Sequence, residues 1–106
     1  MRDYKIYSKI NQIIETRNKY LKLYEKKPEH LMFLGMFNYC AKSMKGDYLF
    51  ILENSYFNPT YQFWWLDYYC KSSYYRRRFT AVKSFVSLFE MIYENFKDDS
   101  NFINFA

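Results

Sequence analysis

Residues 70–89 read CKSSYYRRRFTAVKSFVSLF, and the periodicity of this stretch decides the fold. On a helical wheel at about 100° per residue, Tyr74, Tyr75, Phe79, Ala81, Val82, Phe85, Val86 and Phe89 fall in one sector, which Ile92, Tyr93 and Phe96 extend. The spacing predicts one long amphipathic helix reaching about residue 96, capped by Ser72 or Ser73. Its opposite side carries Ser73, Arg76, Arg77, Thr80, Lys83 and Ser84, then Ser87, Glu90 and Glu94. The exposed side is therefore basic and hydroxylated first, acidic later. Arg78 falls in the apolar sector. That position predicts a structural role, with a packed stem and a guanidinium paired to a carboxylate such as Asp67 or Glu53; direct ligand contact is the alternative.

Upstream, Lys71-Ser72-Ser73 is a polar interruption, and Asn58-Pro59 opens a helix expected over 60–69. That helix holds Trp64 and Trp65, expected to pack beneath the long helix, with stacking on unpaired bases as the alternative. Tyr7, Ile10, Ile14, Leu21 and Tyr24 recur at helical spacing and predict a helix over 3–26. Pro28 ends it. A second helix over 29–45 presents Leu31, Leu34, Met36, Phe37 and Cys40, Gly46 terminates it, and Asp47 is expected to cap a short helix through 56. The fold class is all-α: one domain of about five helices, with 1–45 as scaffold and 47–97 as a helix-turn-helix segment. The tail DDSNFINFA is expected to fray.

Composition agrees. Among 106 residues there are 13 Tyr, 11 Phe and 2 Trp but only 2 Gly and 2 Pro, too few turn formers for a sandwich or barrel. Half the residues are hydrophobic and the net charge is +5, which disfavours disorder. No apolar run approaches the roughly 18–20 residues that span a bilayer, and MRDYKIYSKINQ lacks a signal-peptide core, so a soluble cytoplasmic protein is expected. Cys40, Cys70 and the lone His30 cannot supply four zinc ligands. No metal or cofactor is expected, and both thiols are expected reduced and partly buried. Catalysis finds no constellation either. Asp98-Asp99 lies in the tail, His30 has no nucleophile partner, and Gly35 and Gly46 cannot form a phosphate-cradling loop.

Charge is segmented. Residues 1–45 carry ten Lys/Arg against four Asp/Glu, residues 46–68 carry only Asp47, Glu53 and Asp67, and residues 69–85 carry Lys71, Arg76, Arg77, Arg78 and Lys83 with no acid. A localised basic patch suggests an anionic partner. A short helix, a polar turn and a second helix exposing Ser, Arg and Thr is the layout of a helix-turn-helix, in which the second helix enters the major groove of double-stranded DNA. On that layout Ser73, Arg77 and Thr80 are candidates for base edges, and Lys71, Arg76 and Lys83 for phosphates.

The same stretch resembles the recognition helix of sigma-factor region 4 and of ArpU-type phage regulators, whose pattern is Ser-x-Ser-Thr-Tyr/Val-x-Arg-Arg-x-x-x-Ala. Cys70, Lys71, Ser72, Ser73, Tyr74, Tyr75, Arg76, Arg77 and Ala81 take those places in order, Cys70 standing for Ser. YLFILENSYF and YQFWWLDYY match the two preceding helices, so the likeness covers about 47–89. It is also similar to small proteins of low-GC, wall-less bacteria (mollicutes). The resemblance implies a transcription regulator, with RNA polymerase as a further partner. Two other classes stay open: a protein-interaction module docking on RNA polymerase through its aromatic surface, and a single-stranded RNA binder. Phe79, Val82, Val86, Phe89, Tyr93 and Phe96 alternate at three- and four-residue steps, so packing within the chain competes with a homodimer seam.

Overall fold

Pro28 sets the first corner. Its ring disfavours helical backbone at Lys27, which is extended (φ −79°, ψ 163°). The first helix, α1 (Asp3–Leu21), stops short of the expected residue 26, and a bend over 22–27 leads into α2 (Pro28–Ser43) with Pro28 in its first turn. The Lys27 N–H donates to His30 Nδ1 at 3.0 Å, satisfying one donor at the helix start. Gly46 sets the second corner. Its φ of +46° is costly for any residue with a Cβ, and here α2 gives way to α3 (Gly46–Leu52). The end of α3 widens into a π turn, Glu53–Phe57, closed by the Asn58 N–H on the Glu53 carbonyl at 2.8 Å. A 3-10 turn, Trp64–Asp67, precedes the long α4 (Lys71–Phe96). This computed structural model describes residues 3–96, with side chains from Lys5 onward, and the tail expected to fray lies outside them. Among the described residues every regular element is helical, and no helix is long and apolar enough to cross a membrane.

The apolar stripe of α4 packs against α1, α2 and α3 together. Ala81, Val82, Phe85 and Phe89 are fully buried among Ile10, Ile13, Phe33, Cys40 and Leu52. Packing within the chain thus takes the central residues of the seam, while Phe79 and Tyr93 are half-buried and Phe96 is exposed.

The α-helix expected over 60–69 does not form; only the four-residue 3-10 turn does. Trp64 and Trp65 explain the difference. Both rings seat around one side chain, Trp65 stacked on Tyr74 (4.6 Å, 4°) and Trp64 edge-on to it (5.8 Å, 90°). A tight turn lets neighbouring indoles close on one ring, and aromatic residues lose side-chain freedom in an α-helix. The short helix expected ahead of the polar turn is therefore only a 3-10 turn in front of the long α4. Trp64, Trp65, Tyr74 and Ile51 form a second, smaller core under the start of α4, as the core assignment of the two tryptophans anticipates.

Arg17 joins α1 to the π turn. One Nη donates to the Phe57 carbonyl at 2.6 Å, and the guanidinium lies 4.8 Å from the Phe37 ring centre, where burial lowers its pKa. Nothing in the periodicity of α1 marks this residue. Losing a charge-assisted bond to a partly buried carbonyl, together with the ring contact, predicts that Arg17→Ala costs about 2 kcal/mol in urea unfolding.

Candidate functional site

Arg76, Arg77 and Arg78 are consecutive, so the helix turns them about 100° apart into three different environments. Arg76 is exposed, and so is Lys83 seven residues on, which falls about 20° from it around the axis. Thr80 lies between them, half-buried, its hydroxyl donating to the Arg76 carbonyl at 3.2 Å. Lys71 is exposed at the start of α4 but projects from a different side, more than about 100° from the other two cations. The three candidate phosphate contacts thus form one pair and one outlier. Among the described residues no carboxylate pairs with any of them.

Arg77 belongs to another edge. Its Nε donates to Ser73 Oγ at 3.1 Å, its Nη1 donates to Asp47 Oδ2 at 2.8 Å, and its guanidinium lies 5.6 Å from the Tyr69 ring centre. Of the candidate base contacts, Ser73 and Arg77 are therefore bonded to each other and turned toward the start of α3. Asp47 is not the cap of α3; Lys45 holds that position, and Asp47 sits within the first turn, where its carboxylate also suits the helix dipole. The signal for this pairing was the acidic 46–68 segment lying next to the basic 69–85 one. Burial raises the Tyr69 phenol pKa, and Asp47 beside it raises it further.

Arg78 makes no ion pair with Asp67, Glu53 or any other described carboxylate. It lies instead among tyrosines, 4.9 Å from the ring centres of Tyr7 and Tyr75 and 5.7 Å from that of Tyr74. Aromatic faces can hold a partly desolvated guanidinium in place of a carboxylate.

The exposed apolar side chains Tyr61, Phe63, Leu66 and Tyr68 cluster in the segment just before α4, together with Cys70. Cys70 corrects the expectation of two partly buried thiols: it is exposed, and backbone hydrogen bonding from Ser73, then the Ser72 hydroxyl, lowers its pKa. Burial pushes Cys40 up to about 12. Iodoacetamide should therefore label Cys70 in the native protein at neutral pH and reach Cys40 only on unfolding, as peptide mapping would read. Equal native labelling would contradict this placement. Among the described residues no group of three or more His, Cys, Asp or Glu could hold a metal ion. No protein-family model matches the chain, and neither the curated proteins nor the solved structures contain a match to it.

Proposed function

We propose that this chain is a DNA-binding protein, a transcription regulator that lays the first half of α4 against duplex DNA. The observation that carries the reading is the edge of α4 on which Arg76 and Lys83 are exposed, two turns apart with the half-buried Thr80 between them and without a described acidic partner. Cations so placed hold phosphates and release counterions. The order of residues 70–81, similar to that of sigma region 4 recognition helices, supports the same assignment. Ser73 and Arg77 then supply base contacts beside the edge. Arg77 must leave Asp47 to do so. The pair is exposed on both sides (40% and 53%) and contributes at most about 1 kcal/mol. A bidentate arginine contact to guanine is worth about 1–3 kcal/mol of discrimination, so the exchange favours the bound state.

Fluorescence anisotropy against a random duplex pool, repeated across a salt series, tests the reading. The expected result is binding that weakens linearly with the logarithm of salt concentration; absent or salt-independent binding ends it. Tighter binding to single strands than to duplex would move the site to unpaired RNA or DNA. Asp47→Asn should release Arg77 and strengthen duplex binding by about three- to fivefold, within the worth of an exposed ion pair. Weaker binding by this variant would mean that the pair positions α4 rather than restrains Arg77.

The exposed Tyr61, Phe63, Leu66 and Tyr68 favour a second reading, a module that docks on a protein such as RNA polymerase without reading bases. Leu66→Ser with Tyr68→Ser would then abolish partner recovery and leave DNA affinity unchanged.

A further inference from the structure

Arg78 points to the side of α4 away from Arg76 and lines a cleft between that helix, the π turn and the segment 59–64, with a volume of about 240 Å³. Three tyrosine rings lie close to the guanidinium. Rings interact through the faces of the guanidinium, whereas its hydrogen bonds lie in the plane, so the N–H rim is left to find acceptors. The buried Nε has no partner among the described residues, and no described carboxylate balances the charge. A half-buried cation without a counter-charge is an uncommon arrangement.

The cleft surrounds this cation with neutral hydrogen-bonding groups. Trp64 Nε1 donates to Ser55 Oγ at 3.2 Å, and Ser55 Oγ lies 2.8 Å from the Tyr74 hydroxyl. When Ser55 donates onward to Tyr74, the Tyr74 proton becomes the free end of the chain, and an oxyanion in the cleft favours that direction. Burial pushes Tyr56 up to about 12, so its hydroxyl is a donor at ordinary pH. Thr60 and Gln62 complete the rim. At roughly 30 Å³ per water, the cleft has room for more than a single oxyanion. Pro59 and Tyr61 offer an apolar wall for an attached organic group.

We propose that this cleft binds a small organic phosphate monoester, its phosphate held by Arg78 and the hydroxyl donors and its organic part set against Pro59 and Tyr61. A phosphate suits the site better than a carboxylate because it offers three acceptor oxygens and close to two negative charges to a cation flanked by several donors. The ester has two possible sources, a free nucleotide or sugar phosphate and the terminal phosphate of a nucleic-acid strand. The site does not depend on the duplex reading, since it uses neither Arg76 nor Lys83.

Titration of the full chain, followed by the fluorescence of Trp64 and Trp65, tests the proposal with four probes: uridine 5′-monophosphate, uridine, and a single-stranded oligonucleotide with and without a 5′-phosphate. The expected result is saturable binding of the phosphorylated member of at least one pair and none of its unphosphorylated partner. Binding of the mononucleotide identifies a free ester as sufficient; binding of the phosphorylated strand alone identifies a strand end. Arg78→Lys keeps the charge but loses the fork, and should weaken binding by about tenfold or more. Thr60→Val, at an exposed rim position outside the core, should weaken it a few-fold and keeps the test open if Arg78→Lys does not fold. Lys42→Ala, at an exposed cation of α2 that does not line the cleft, should leave it unchanged. Equal binding within both pairs, no binding of any phosphorylated probe, indifference to both cleft variants, or loss with Lys42→Ala would each overturn the proposal.

Discussion

Phe85→Ala should remove about 3–5 kcal/mol of folding stability, the range for a fully buried phenylalanine truncated in a well-packed core. Phe85 is 0% exposed, with ring centres at 5.3 Å from both Phe37 and Phe57 and at 6.3 Å from Phe89. It therefore joins α2, the π turn and α4 at one point, and no neighbour can close the gap without moving a helix. Domains of this size hold about 5–15 kcal/mol in total, so the variant should melt well below the parent or fail to fold at all. Phe96→Ala is the control: Phe96 is exposed at the end of the same stripe, and its loss should fall within about 0.5 kcal/mol. A Phe85→Ala cost below about 1 kcal/mol would mean that α4 does not close the core.

The second large effect concerns binding. Replacing Arg76 and Lys83 together by alanine should reduce the slope of log affinity against log salt by about 1.8, at roughly 0.9 per phosphate contact in B-DNA. At 0.1 M salt that corresponds to a loss of just under about two powers of ten. The loss should be alike for all duplex sequences, because phosphate contacts carry no sequence information. Both side chains are exposed, so circular dichroism and melting temperature should match the parent. Arg77→Ala should behave differently, costing about 1–3 kcal/mol at preferred sites and relaxing the preference. An unchanged salt slope in the double variant would remove α4 from the interface.

Much of the fold was legible because α4 repeats its apolar residues with helical period and because Pro28 and Gly46 mark real corners. The error over 60–69 has a physical source. Periodicity treats Phe63, Trp64, Trp65 and Leu66 as one apolar run, yet the two indoles are buried while Phe63 and Leu66 are exposed. Ring size and the geometry around Tyr74 decided the backbone there, and neither is visible in a hydrophobic pattern. At the candidate site, the wheel correctly separated Arg78 from its neighbours, because side-chain direction along a helix is a local property. Its surroundings were not local. Tyr7 comes from the other end of the chain, and a ring substituting for a carboxylate leaves no charge signature in the sequence. Asp47 shows the converse: the sequence marks it only as a helix cap, and the packing of α3 beside α4 makes it the partner of Arg77 instead.

The fanning of the three arginines makes α4 intolerant of insertions and deletions in a way that substitutions are not. Inserting one residue between Tyr74 and Arg76 would rotate everything downstream by about 100°, sending a solvent-facing guanidinium toward the acidic corner and the acidic corner's partner into the tyrosine cage. Removing three or four residues would restore the face but shorten the rod by about one turn, roughly 5.4 Å. The clamp of Trp65 on Tyr74 works as the phase reference for this rod, so viable length variants of the protein should carry their changes in the loop over 58–63, ahead of the clamp, rather than within the helix itself.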